Sequence, residues 1–144
     1  MPNTNYDTDF YAWANEQAAL LRAGALTAAD IENIAEEIES MGKGEKRELK
    51  SRLQIIVLHL LKWQFQPAGR GSSWETTIRV QRIDLAHHLS DNPSLKAQVP
   101  DVMGLAFGNA RLLAADETKM SPKAFPAKCP YSLKQIMDKE FWPE

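Results

Sequence analysis

The segment from His59 to Arg82, HLLKWQFQPAGRGSSWETTIRVQR, gathers one histidine, two tryptophans and three arginines around a proline and two glycines. Histidine can give or take a proton near neutral pH, and arginine presents a planar fork of donors that matches carboxylate and phosphate oxygens. Tryptophan faces supply an apolar wall. With the adjacent acids Glu36 and Glu37, these residue types suit a pocket for a small anionic molecule. The candidate ligand-binding set is Glu36, Glu37, His59, Trp63, Arg70, Trp74, Arg79, Gln81 and Arg82. A competing reading makes the same stretch a corner between two helices, with Trp63 packed on Trp74. His59 and Gln81 are then buried polar groups paired with Glu36, Glu37, Glu39 or backbone carbonyls, because a buried polar group without a partner costs about 1–3 kcal/mol.

Other chemistry finds less support. Asp84 and His88 share a helical face, and with His87 or His59 they resemble a three-ligand set for zinc or iron. Adjacent residues on a helix, however, project about 100° apart, and the Glu-x-x-His pairs of di-metal bundles are missing. No metal site is assigned and no cofactor is expected. Cys129, the single cysteine, lies between Lys128 and Pro130 without an evident base and is expected to be a free thiol. A phosphate loop, a dinucleotide fingerprint and a zinc-protease motif are all lacking. No catalytic residue is assigned, and enzymatic activity is not expected.

The elements that must position these residues are helical throughout. Phe10, Trp13, Ala14, Gln17, Leu20 and Leu21 recur at three-and-four spacing, with Gly24 placed for a left-handed cap. Thr27 and Asp30 open a helix over 28–41, whose stripe is Ile31, Ile34, Ala35, Ile38 and Met41. Residues 45–66 form a helix apolar almost all round in its middle, IIVLHLL, so it should lie deepest. MGKGEK reads as a tight connection that folds these two helices into an antiparallel hairpin. The acids Asp30, Glu32, Glu36, Glu37 and Glu39 would then lie beside Lys43, Lys46, Arg47, Lys50 and Arg52 in exposed ion pairs. Pro67 ends the second of them. Ser72 and Glu75 form a capping box for a helix over 72–90, and Val102, Leu105, Ala106, Leu112 and Leu113 carry another over 100–117. Pro122, Pro126, Pro130 and Pro143 break the tail around one short helix capped by Ser132 and Gln135. The fold class is all-α: a single-domain bundle, residues 1–144, of about five main helices with a proline-rich tail and a short terminal helix.

Composition limits the partners. At 144 residues the chain suits one compact domain, and 44% hydrophobic with 25% charged residues is ordinary for a folded chain. A formal net charge of -2 offers no global field for nucleic acid or anionic membrane, so nucleic-acid binding rests only on the bases from Lys43 to Arg52 and is not expected. The start, MPNTNYDTDF, lacks a basic segment followed by an apolar core, and no apolar run approaches the ~20 residues that span a bilayer. A cytoplasmic location without membrane association is expected.

Six phrases occur in order along the chain: YDTDFYAWANEQAALLR, IAEEIESMG, HLLKW followed by QP, SSWETTI with QR, NPSL, and FPAKCPY. Together they resemble the bacterial family called domain of unknown function twenty-nine, from Tyr6 through the C-terminal region. The resemblance implies a small all-α protein, with no accepted activity, cofactor or catalytic residue to carry over. The expected function is a helical protein-interaction module, for a hetero-partner or self-association. The alternative is a small-molecule or anionic-ligand site around His59 and the Trp63/Trp74 corner.

Overall fold

The computed structural model describes residues 5–144, all helix and connection, with no strand among the described residues. Five α-helices follow in order: α1 (Phe10–Arg22), α2 (Ile31–Phe65), α3 (Ser72–Asp91), α4 (Val99–Thr118) and α5 (Leu133–Met137). Short 3-10 turns at Pro67–Gly69, Pro93–Gln98 and Pro122–Ala124 each begin with a proline, whose fixed φ suits the first position of a helical turn. The chain divides into two compact units, Met1–Gly44 and Glu45–Glu144, and α2 runs through the division.

The expected hairpin is replaced by one helix of 35 residues. Gly42 and Gly44 are helical, and Gly24 is the described glycine with a positive φ, +74°. Each glycine costs a helix about 1 kcal/mol relative to alanine, but MGKGEK holds no proline and no asparagine to stop the turn. The acids of residues 30–39 therefore do not face the bases of residues 43–52 across a hairpin.

In the first unit, α1 meets the start of α2 through polar contacts. Asp30, just before α2, accepts the Trp13 indole N–H at 3.0 Å and an Asn33 amide N–H at 2.8 Å, and its own N–H donates to the buried Gln17 Oε1 at 2.6 Å. The helix starts at Ile31, so Asp30 holds α1 and no Thr27 box opens a helix at 28. Tyr6 donates its hydroxyl to Glu37, and the Tyr6, Phe10 and Trp13 rings cluster with centroids 4.7–5.8 Å apart. That hydrogen bond, more than any other influence, pushes the Tyr6 hydroxyl up to about 12.

In the second unit, the C-terminal half of α2 is the core. Leu49, Leu53, Ile56, Val57, Leu58, Leu60 and Leu61 are all buried, as the apolar run IIVLHLL leads one to expect. Ile78 and Leu85 of α3 and Ile136 of α5 join the same cluster. The inward face of α4 differs from expectation: Val102, Ala106, Phe107, Ala110, Ala114 and Ala115 are buried, whereas Leu105, Leu112 and Leu113 are exposed. Alanines on the inner face let a neighbouring helix come close around Val102 and Phe107. α5 is capped by both arms of the Ser132–Gln135 box. The box expected at Ser72 does not form. Gly71 is the N-cap without a side-chain bond, and Glu75 instead pairs with Arg79 at 2.7 Å.

Candidate functional site

The α2–α3 corner is built on Gly69 and on the C-terminal tail. The Trp74 ring lies against Gly69 so closely that a Cβ there would come within 2.4 Å of Cη2. The Lys62 ammonium stands 4.9 Å from the Trp74 ring centroid and pairs with Glu117 at 2.7 Å. Trp63 meets Trp142, centroid to centroid 4.7 Å, rather than Trp74 as expected. Arg70 closes the other side, its guanidinium 5.3 Å from the Trp63 ring and its Nε donating to the Trp63 carbonyl at 2.7 Å.

Trp142 reaches this position because Arg82 holds the tail. Arg82, 3% exposed, donates Nε–H to the Ile136 carbonyl at 2.8 Å and Nη2–H to those of Gln135 and Phe141 at 3.2 and 2.9 Å, leaving Nη1 with no acceptor among the described residues. Two of these carbonyls belong to the last turn of α5, where the Gln135 carbonyl also accepts the Asp138 N–H at 3.3 Å. Burial lowers the guanidinium pKa, and the nearby Asp138 opposes the shift. Arg82 thus anchors the tail rather than offering its fork to a ligand. Arg79 remains exposed, its guanidinium 5.9 Å from the Trp142 ring. Arg79, Arg82, Ile83, Lys139 and Trp142 are among the walls of a half-open cleft of about 570 Å³ between α3 and the tail.

His59 is half-buried on α2 and hydrogen-bonds through Nδ1 to the Ile55 carbonyl at 2.8 Å, one turn back on its own helix. Nδ1 is therefore the protonated nitrogen. Burial first, then the positive charge of Lys62, lowers its pKa, against the pull of that carbonyl and of Glu117. The backbone-carbonyl form of the corner reading holds for His59; its pairing with an acid of residues 36–39 does not occur. Glu36 and Glu37 belong to the first unit, where Glu36 is exposed and Glu37 accepts the Tyr6 hydroxyl's hydrogen bond.

Gln81 leads to a polar strip between α2 and α3 that no single sequence phrase points to. Its Oε1 accepts from Arg52 Nη1 at 3.2 Å, and Arg52 also pairs with Glu48 at 2.9 Å and Asp84 at 3.3 Å. Next along the strip His88, 6% exposed, donates Nε2–H to the Glu45 backbone carbonyl at 2.9 Å. Its Nδ1 faces the Glu48 and Glu45 carboxylates at 3.2 and 3.5 Å. Asn92 donates to Glu45 Oε2 at 3.4 Å and to the His88 carbonyl at 3.1 Å. The signal was present in Glu45 and Glu48, three apart, and Asp84 and His88, four apart, which place polar groups on facing sides of two helices.

A model of the family described as domain of unknown function DUF29 matches residues 5–142. The chain belongs to that family. No curated protein and no solved structure matches it. In this DUF29 chain the phrases quoted above contribute to the contacts that hold each unit. Tyr6 of the first phrase donates to Glu37 of the second, and Trp63 and Arg82 of the middle phrases hold the tail. Among the described residues no helix is long and apolar enough to cross a membrane.

Proposed function

We propose that this DUF29 chain is a helical protein-interaction module of the cytoplasm, and that its binding surface is the uncovered face of α2 in the first unit. One observation carries the reading: Ile31, Ala35, Ile38 and Met41 line one side of the helix and remain exposed, with Ile31 at 52%, Ile38 at 59% and Met41 at 63%. The hydrogen bonds to α1 and the segment before it come instead from Asp30, at the helix start, and from Glu37. The uncovered residues repeat at the four-and-three spacing by which one helix packs into the groove of another, so the complementary surface is an apolar helix, on a partner protein or a second copy. Lysines at Ile38 and Met41 test this. An exposed position tolerates substitution within about 0.5 kcal/mol, so the Ile38→Lys/Met41→Lys chain should melt like wild type yet lose its association. Unchanged association would exclude the surface.

A second reading is supported by the cleft between α3 and the tail, whose volume lies in the range of small-molecule sites. Arg79 beside the Trp142 ring, with Lys139 also on the lining, suits a planar carboxylate, although Asp138 and Glu140 line the same cleft. Quenching of tryptophan fluorescence by an aromatic carboxylate, abolished in Trp142→Phe, would support it. Absence of quenching removes it.

A further inference from the structure

Nδ1 of His88 poses a charge problem. With Nε2–H committed to the Glu45 carbonyl, a neutral imidazole turns its Nδ1 lone pair on two carboxylates. Lone pair against two anions, on a side chain 94% removed from solvent, is unfavourable unless a cation stands between them. A proton would fill that place by making an imidazolium, and charge-assisted N–H···O contacts of that kind close to about 2.7–2.9 Å. The observed separations, 3.2 and 3.5 Å, are longer. They are close to the edge length of a coordination polyhedron, because bonds of about 2.0–2.1 Å in tetrahedral array put neighbouring ligand atoms about 3.3–3.4 Å apart.

We propose that Glu45, Glu48 and His88 form a binding site for a divalent transition cation of the zinc type, with Nδ1 and one oxygen from each carboxylate as ligands. The three donor atoms already lie within 4.8 Å of one another. The imidazole hydrogen-bonds to a backbone carbonyl through its other nitrogen, which is how metal-bound histidines are held in tautomer and orientation. Arg52 steadies Glu48 and Asn92 steadies Glu45 in the same outer role. Charge points the same way. Among the ion pairs of the described residues, the carboxylates of Glu45, Glu48 and Asp84 share the strip with the guanidinium of Arg52, leaving a deficit that a doubly charged ion would cancel. One imidazole with two carboxylates selects a first-row divalent ion over magnesium or calcium, which take oxygen alone. Glu45 is half-exposed, so remaining coordination positions open to water on that side. His59, His87 and Cys129 take no part, which separates this set from the one the sequence suggested.

The test is calorimetric titration of the chelator-stripped full chain with zinc alone at pH about 7.5, above the ordinary histidine range. A cobalt spectrum provides a second readout. One zinc per chain is expected. Glu45→Gln, a near-isosteric change at a half-exposed position, should fold normally and bind at least about 10- to 100-fold more weakly, the loss that even an outer-shell change produces. His87→Ala and Cys129→Ser should bind like wild type. No saturable uptake, uptake unaltered in Glu45→Gln, or uptake lost with His87 or Cys129 would each overturn the proposal.

Discussion

Arg82 is the residue whose removal the structure prices most clearly. Its guanidinium makes hydrogen bonds to the carbonyls of Gln135, Ile136 and Phe141 and stands 5.4 Å from the Trp142 ring. Hydrogen bonds to a charged donor contribute about 1.5–3 kcal/mol each, but part of that is offset by the cost of burying the cation, and bonds from one group do not add fully. Arg82→Met keeps much of the stem's packing and removes these bonds, leaving Gln135 with the Asp138 N–H alone, so a loss of roughly 2–5 kcal/mol follows. Arg82→Lys should recover little, because an ammonium cannot reproduce the fork that reaches α5 and Phe141 together. Urea denaturation followed by tryptophan fluorescence measures the loss. Limited proteolysis at the tail measures its release, and Trp142→Phe identifies which signal reports the Trp63–Trp142 pair. Should Arg82→Met unfold within about 0.5 kcal/mol of wild type with its tail still protected, the anchoring role is refuted.

Gly69→Ala places a methyl group into the Trp74 ring, and a cost of about 1–3 kcal/mol with altered tryptophan emission is expected; a variant that melts like wild type would show the ring free to move. His59 binds a proton less readily folded than unfolded, so between its lowered pKa and the ordinary value near 6.5 the unfolded chain holds the extra proton. Its contribution is intact above that value and is lost as pH falls through the window. His59→Gln should therefore flatten the decline in melting temperature between neutral and mildly acidic pH, and an unchanged slope would contradict the assignment. The Cys129 thiol, raised by burial above its ordinary range, should react with iodoacetamide more slowly than free cysteine at pH about 8 and speed up in denaturant. Equal rates in both states would count against its burial.

Local chemistry made much of this fold legible, and long-range contact made the rest opaque. Gly24, Pro67 and the Ser132–Gln135 box punctuate the chain as their chemistry dictates, and IIVLHLL lies in the core. Gly42 and Gly44 misled because two glycines lower helix propensity without supplying a stop, and a helix ends only where a cap or proline replaces its hydrogen bonds. Leu105 and Leu112 misled because periodicity defines a face but not which of two faces packs, and on α4 the alanine side does. Arg82 and Trp142 were the least readable. The carbonyls that Arg82 binds lie 53 to 59 residues away, where no spacing rule reaches. The same holds for His88, whose partners sit on another helix.

The binding face of α2 is best tested by site-specific photo-crosslinking in living cells, with a benzophenone side chain replacing Ile38 in one chain and Glu36 in another. Both positions are exposed, but Ile38 belongs to the uncovered apolar side and Glu36 does not. A discrete cross-linked species from position 38, to a second copy or to one partner protein, and none from position 36 is the predicted result. No adduct at position 38, or the same adducts from both positions, would contradict the proposed function.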